Sequence, residues 1–315
     1  MEINKLQDQI SQHRPYLMGI AILWIMIHHI QFFGLYDFCF LSFFARIGSC
    51  GVDIFLFVSS FGLYHSLIKG GRIRDFYKRR LFRIFPTFIV FLFILAVIKN
   101  PLLLFSPRFY YNQFYSNWYI TFILLMYLVY PVIFKVQQKH LYLPLVLGIT
   151  FSSLMTVLLV LLDKDNIHDV PMLMIQRVPI FVVGSLFADK RFRTCVPFWV
   201  FMLNIAITCF ALYYSYQDEL EYLVYPLFFF LTISLVILFL YSWIKWIDKP
   251  LSYCGNISLE LYLIHMVFIP FAIRHNFADN IQRWIIALII FFTSCVAAVF
   301  YKKIVSMVVL SIQKS

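Results

Sequence analysis

Two adjacent histidines close an apolar run: YLMGIAILWIMIHH, residues 16–29, carries no charge before His28 and His29. An imidazole can take the proton of an attacking hydroxyl near neutral pH, or attack an acyl group itself as a covalent relay. His29 stands fifteen residues beyond Arg14, roughly 22 Å along a helix, which places it deep in any bilayer that this run crosses. The His28 ring points about 100° away from that of His29, so the two need not face one site. Other polar groups in apolar surroundings are Arg46, Asp53, Asn117, Arg177, Asn204, Asn256, Glu260 and His265. Such groups are costly in hydrocarbon, so they mark interior contacts or a wet cavity.

Asp53 in GVDIF and Glu260 in SLELYLIH are the carboxylates of this set. Either could orient an imidazole, stabilise its protonated form, or neutralise a buried Arg46 or Arg177. Spacing does not decide which. Ser258, Tyr262 and His265 share one helical face at i, i+4 and i+7, with Glu260 pointing elsewhere, and His265 reads as a satisfied interior group. The segment KGGRIRDFYKRRLFRIFP places seven basic residues between Lys69 and Arg83. Its guanidinium groups at Arg79, Arg80 and Arg83 suit the paired, charge-assisted hydrogen bonds that phosphates accept. Membrane topology and lipid head-group binding are the competing uses of the same charges.

The elements that hold these residues follow from composition. Apolar residues make up 62% of the 315, aromatics 20% and charged residues 13%, a balance that could not cover the surface of a soluble domain. We therefore expect an all-α polytopic membrane protein, because a spanning segment must satisfy its backbone internally over roughly 20 apolar residues. About ten transmembrane helices are expected, near residues 15–34, 47–68, 82–98, 117–135, 141–162, 174–189, 196–216, 221–244, 256–274 and 283–303. The sixth is the shortest. Most of the 26 Lys and Arg fall on alternate loops together with the N-terminus, while DKDNIHD and DELE fall on the other side. By the positive-inside rule both termini are then cytoplasmic.

The net charge of +11 is accounted for by loops at an anionic inner leaflet, so no nucleic-acid partner is expected. Cys39, Cys50, Cys195, Cys209, Cys254 and Cys295 show no CxxC or Cys/His spacing, so they are expected as unpaired thiols with no metal site. Trp118 and Tyr119 stand where an aromatic belt belongs, with substrate contact as the other use of Trp118. Gly184 and Ser185 permit close helix approach, or a cavity wall. No internal repeat is evident, and the polar opening MEINKLQDQISQH lacks a signal-peptide cleavage pattern.

In order, the motifs resemble those of the acyltransferase-3 family of integral membrane O-acyltransferases. The first span is similar to that family's opening helix, GVDIFLFVSSFGLYHS at 51–66 to its second-helix signature, and FYKRRLFRIFPTF at 76–88 to its basic approach to the third. NWYITFILLMYLVYPVI at 117–133, RVPIFVVGSLFA at 177–188 and GNISLELYLIH at 255–265 complete the series. The resemblance implies helices around a polar cavity, with cytoplasmic acetyl-CoA or another acyl-CoA as donor. The acceptor it implies is a hydroxyl of a cell-envelope glycan or its lipid-linked precursor, in a bacterial inner membrane among its lipids.

By the same resemblance His29, Asp53 and Glu260 are candidates for the chemistry. Arg14, Arg79, Arg80 and Arg83 are candidates for acyl-CoA, and His28, Trp118 and Arg177 for substrate. The family places an Arg eleven positions before its functional His, where this chain has Met18. Arg14 lies one turn earlier and about 40° round the axis, close enough to serve the same face. The expected organisation is a cytoplasmic segment 1–13, a membrane domain 14–305 and a cytoplasmic tail 306–315, with no appended soluble domain. A transporter or flippase for an envelope precursor is the alternative, disfavoured by the lack of repeats and of paired Gly/Pro-broken helices. A silent scaffold leaves buried histidine and carboxylate together unexplained.

Overall fold

The computed structural model describes residues 3–33, 42–69, 72–162, 170–192, 197–217, 224–241, 245–273 and 280–314. Among them there is no strand. The helices are α1 (Ile3–Gln12), α2 (Arg14–Phe32), α3 (Ser42–Arg46), α4 (Cys50–Ile68), α5 (Ile73–Lys99), α6 (Pro107–Ser116), α7 (Trp118–Lys139) and α8 (Leu143–Leu162). They continue as α9 (Val170–Ile175), α10 (Val178–Ala188), α11 (Phe198–Gln217), α12 (Val224–Tyr241), α13 (Lys245–Asn256), α14 (Ser258–Ile273) and α15 (Asn280–Lys314).

Seven helical stretches among the described residues are long and apolar enough to cross a membrane: Arg14–Phe32, Ser42–Ile68, Ile73–Lys99, Trp118–Lys139, Leu143–Leu162, Val170–Ala188 and Ile285–Ser311. Shorter apolar helices at Trp199–Tyr213, Leu227–Leu240 and Ser258–Ile269 occupy the other positions where spans are expected. The acidic stretches 163–169 and 218–221, and Cys39 and Cys195, lie outside the described residues. Cys50, Cys209, Cys254 and Cys295 are free thiols.

Three features depart from the sequence expectation. The basic segment is helical from Ile73 onward and continuous with the third span, since no breaker intervenes before Pro86. Its charges therefore stand on a helix surface with fixed spacing. The sixth span is interrupted at Gln176–Arg177, which sets Arg177 at the start of α10. Before the ninth span lies α13, a short helix rich in polar residues, joined to α14 through Ile257.

The packing centres on α2 and α4. The first lies against α13, α4 and α14, and the second also against α10 and α12. Lipid tails are as apolar as leucine, so association rests on close contact and on interhelical hydrogen bonds. A Cβ on Gly19 would overlap the Leu251 carbonyl oxygen, and one on Gly255 the Pro15 carbonyl oxygen, so α2 and α13 touch backbone to backbone. Asn204 of α11 donates to Ser234 Oγ at 2.7 Å and to the Phe230 carbonyl at 2.9 Å on α12.

A larger polar knot ties α7 to the end of α10. Tyr130 Oη lies 2.8 Å from Ser185 Oγ, Ser185 donates to Gln137 Oε1 at 2.8 Å, and Gln137 donates to Asp189 at 3.4 Å. Arg191 pairs with Asp189 at 2.7 Å and donates to the Gln137 carbonyl at 2.8 Å. From α1, Gln7 donates to the Asp189 carbonyl at 3.2 Å while Leu6 and Ile10 are buried, so this helix is fastened to the bundle.

Candidate functional site

Arg14 begins α2 with Pro15 after it, which suits a helix start because the missing proline N–H has no partner to lose. Its guanidinium lies against Gly62 of α4: a Cβ there would sit 2.8 Å from the Arg14 Cζ, so the glycine makes the room. From this end a cavity of about 40 Å³ runs inward, lined by Arg14, Met18, Phe55, Ser59, Arg83, Ile84, Tyr119, Tyr127, Ser258, Leu259 and Tyr262. Arg14 and Met18 thus face the same space. Among the described residues neither Arg14 nor Arg83 forms an ion pair. Two guanidinium groups without an anionic partner, beside phenols and hydroxyls, make a site for an anion.

The other basic candidates are placed differently. Arg80 lies over the Phe76 ring at 5.9 Å with its Nε buried, and Arg79 is exposed on the same helix outside the cavity lining.

Tyr119 and Tyr262 close the inner end, their rings edge to face at 5.1 Å. Behind Tyr262, one turn further along α14, stands His265, with ring centroids 6.0 Å apart. His265 Nε2 is 2.8 Å from His29 Nδ1, and His265 Nδ1 is 2.7 Å from the Leu261 carbonyl. The buried His265 and the partly exposed His29 lie nearly coplanar, edge to edge across this contact, with ring centroids 5.1 Å apart. Arginines and imidazoles are therefore separated by a tyrosine wall, and the cavity lining does not include His29.

The remaining candidates form a second group. Asp53 on α4 pairs with Arg177 Nε at 3.1 Å, both nearly inaccessible, with side-chain exposures of 3% and 2%. Arg177 also lies over the Trp118 ring at 4.9 Å and donates to the Leu173 carbonyl at 3.2 Å. Trp118 thus holds an arginine. His28 Nδ1 donates to the Ala45 carbonyl at 3.1 Å, which fastens α2 to α3. Glu260 is buried, lies off the cavity lining, and makes no ion pair among the described residues. Neither carboxylate is hydrogen-bonded to an imidazole among them.

The structure thus brings together Arg14, Arg83, Ser258 and Tyr262 at the cavity and His29 with His265 behind it, while Asp53, Arg177 and Trp118 contact one another off the cavity lining. Sequence reasoning missed Ser59, Tyr127 and His265 as parts of this arrangement. The shared face of Ser258, Tyr262 and His265 was the available signal for the last. Among the described residues no group of three or more His, Cys, Asp and Glu is placed to hold a metal ion.

At the foot of the bundle, just past the sixth span, burial alone would raise the Asp189 carboxyl. Hydrogen bonds from the Arg191 side chain and backbone outweigh it and hold the group below its ordinary value.

A family model described as an acyltransferase domain, that of acyltransferase-3, matches residues 16–302. No curated protein and no solved structure gave a match to the chain.

Proposed function

The chain belongs to the acyltransferase-3 family, and from that premise we propose that it is a membrane O-acyltransferase. It moves an acyl group, acetyl in the simplest case, from acyl-CoA to a hydroxyl of a cell-envelope glycan or its lipid-linked precursor in a bacterial inner membrane. The observation that carries this reading is the pair of arginines, Arg14 and Arg83, that form no ion pair among the described residues and line a cavity whose Tyr262 lies against His265, itself in contact with His29.

A space of about 40 Å³ holds waters and not a nucleotide. The charged part of CoA therefore rests at the mouth, where Arg83 is exposed, and only the slender thioester arm enters. Met18 and Phe55 offer that arm apolar walls. The arm has to pass Tyr119 and Tyr262 to reach His29, so turnover includes a parting of those rings.

At His29 the acceptor hydroxyl loses its proton to the imidazole as its oxygen bonds to the thioester carbon. The carbon–sulfur bond then breaks, and the imidazolium returns the proton to the departing CoA thiolate. General base catalysis of this kind contributes about 10²- to 10⁴-fold. The flippase alternative has one interrupted span in its favour, but the arginine at that break is committed to Asp53.

Purified protein in nanodiscs, given radiolabelled acetyl-CoA and envelope glycan, tests the reading. His29→Gln is expected to lower kcat at least about 100-fold with the KM for acyl-CoA little changed. Wild-type transfer by that variant contradicts it.

A further inference from the structure

His265 lies outside the motif chemistry considered so far, yet every polar atom of its ring is committed. The Leu261 carbonyl 2.7 Å from Nδ1 can only accept, so Nδ1 carries the proton. In an uncharged pair His265 Nε2 is then a lone pair, and the 2.8 Å contact to His29 Nδ1 requires the proton to sit on His29. No carboxylate is hydrogen-bonded or ion-paired to either ring among the described residues, so nothing there supplies a charge that would favour another proton count. His29 is left as the Nδ1–H tautomer, with the Nε2 lone pair unengaged by any described residue.

We infer that His265 is the positioning residue for His29: it fixes ring orientation and tautomer so that Nε2 is the basic atom. The inference rests on the acyltransferase reading for its role in turnover, and on geometry alone for the tautomer. The chain Leu261 C=O, His265, His29 does for this base what a buried carboxylate does for a catalytic histidine elsewhere, using a neutral acceptor. The helix supplies the anchor, since Leu261 stands one turn before His265 on α14. When His29 takes the acceptor's proton, its Nδ1–H bond to His265 strengthens, because one partner has become charged.

Two measurements test this. The ring ¹⁵N shifts of ¹⁵N-histidine-labelled wild type in nanodiscs, assigned with His29→Gln, should show His29 protonated at Nδ1. Protonation at Nε2 overturns the inference. In turnover, His265→Phe keeps an aromatic ring and removes the acceptor, and kcat should fall about 10- to 100-fold with the KM for acyl-CoA unchanged.

His265→Gln places an amide oxygen where Nε2 was, so it should restore most of the lost kcat although it cannot take a proton. A Gln variant as impaired as the Phe variant, or a Phe variant with wild-type kcat, contradicts the assignment. The ring spectrum decides the matter even in a protein that transfers no acyl group, so failure here and failure of the acyltransferase reading are separable.

Discussion

Asp53 and Arg177 bury opposite charges at 3.1 Å with almost no access to water. Such a pair offsets its own desolvation only while both partners remain, and loss of one leaves an uncompensated charge. Arg177→Met should therefore destabilise the protein by about 3–5 kcal/mol in detergent unfolding, while Asp53→Asn combined with Arg177→Met should recover most of that loss. Equal destabilisation by the single and double variants would show that the charges do not compensate each other. Residue type and apolar surroundings were enough to single out Asp53, Arg177, His28, His29 and Glu260 in the sequence. Their partners were not legible, because spans far apart in the chain are brought together by packing that periodicity does not encode. The same limit applied to His265, which reads as a satisfied interior group until its neighbour is known to be His29.

Helix geometry explains how a displaced arginine still serves the cavity. Arg14 stands one turn before Met18, both line the same space, and Gly62 of α4 leaves room for the guanidinium. Gly62→Ala should push the flexible end of Arg14 aside without disturbing the backbone, raising the KM for acyl-CoA about tenfold, equivalent to ~1.4 kcal/mol, with kcat little changed. An unchanged KM would mean that Arg14 does not hold the donor. The seven long apolar helices were legible from apolar length, and three shorter apolar helices lie at the other positions where the sequence places spans. Two details were not. The interruption at Gln176–Arg177 lies just before Pro179, which has no N–H to offer the Ile175 carbonyl at the end of α9, but a proline does not show in advance whether a span bends or breaks. The helical basic segment reads equally well as a loop until no breaker is found before Pro86.

At the scale of the whole molecule, the polar knot around Asp189 ties α1, α7 and the end of α10 together. The knot has a pH signature. Asp189 titrates below its ordinary value when folded, so its contribution is complete above an unfolded value of about 4 and is lost as pH falls through the folded one. Thermal stability in detergent should therefore drop as pH is lowered below about 5, and Asp189→Asn should be less stable at pH 7 with a shallower acid decline. An acid decline unchanged in that variant would assign it to other groups. The membrane class of the molecule was plain from composition, whereas the tyrosine wall between arginines and imidazoles was not, because it depends on α7 and α14 meeting at Tyr119 and Tyr262. A division of labour in which Arg14 of α2 and Arg83 of α5 hold the donor phosphates and His29, further along α2, transfers the proton is most directly tested by equilibrium binding of radiolabelled acetyl-CoA in nanodiscs. Arg14→Met and Arg83→Met should each weaken binding roughly 10- to 100-fold, as loss of charged hydrogen bonds implies, with His29→Gln binding like the wild type. Wild-type affinity in both arginine variants would contradict it.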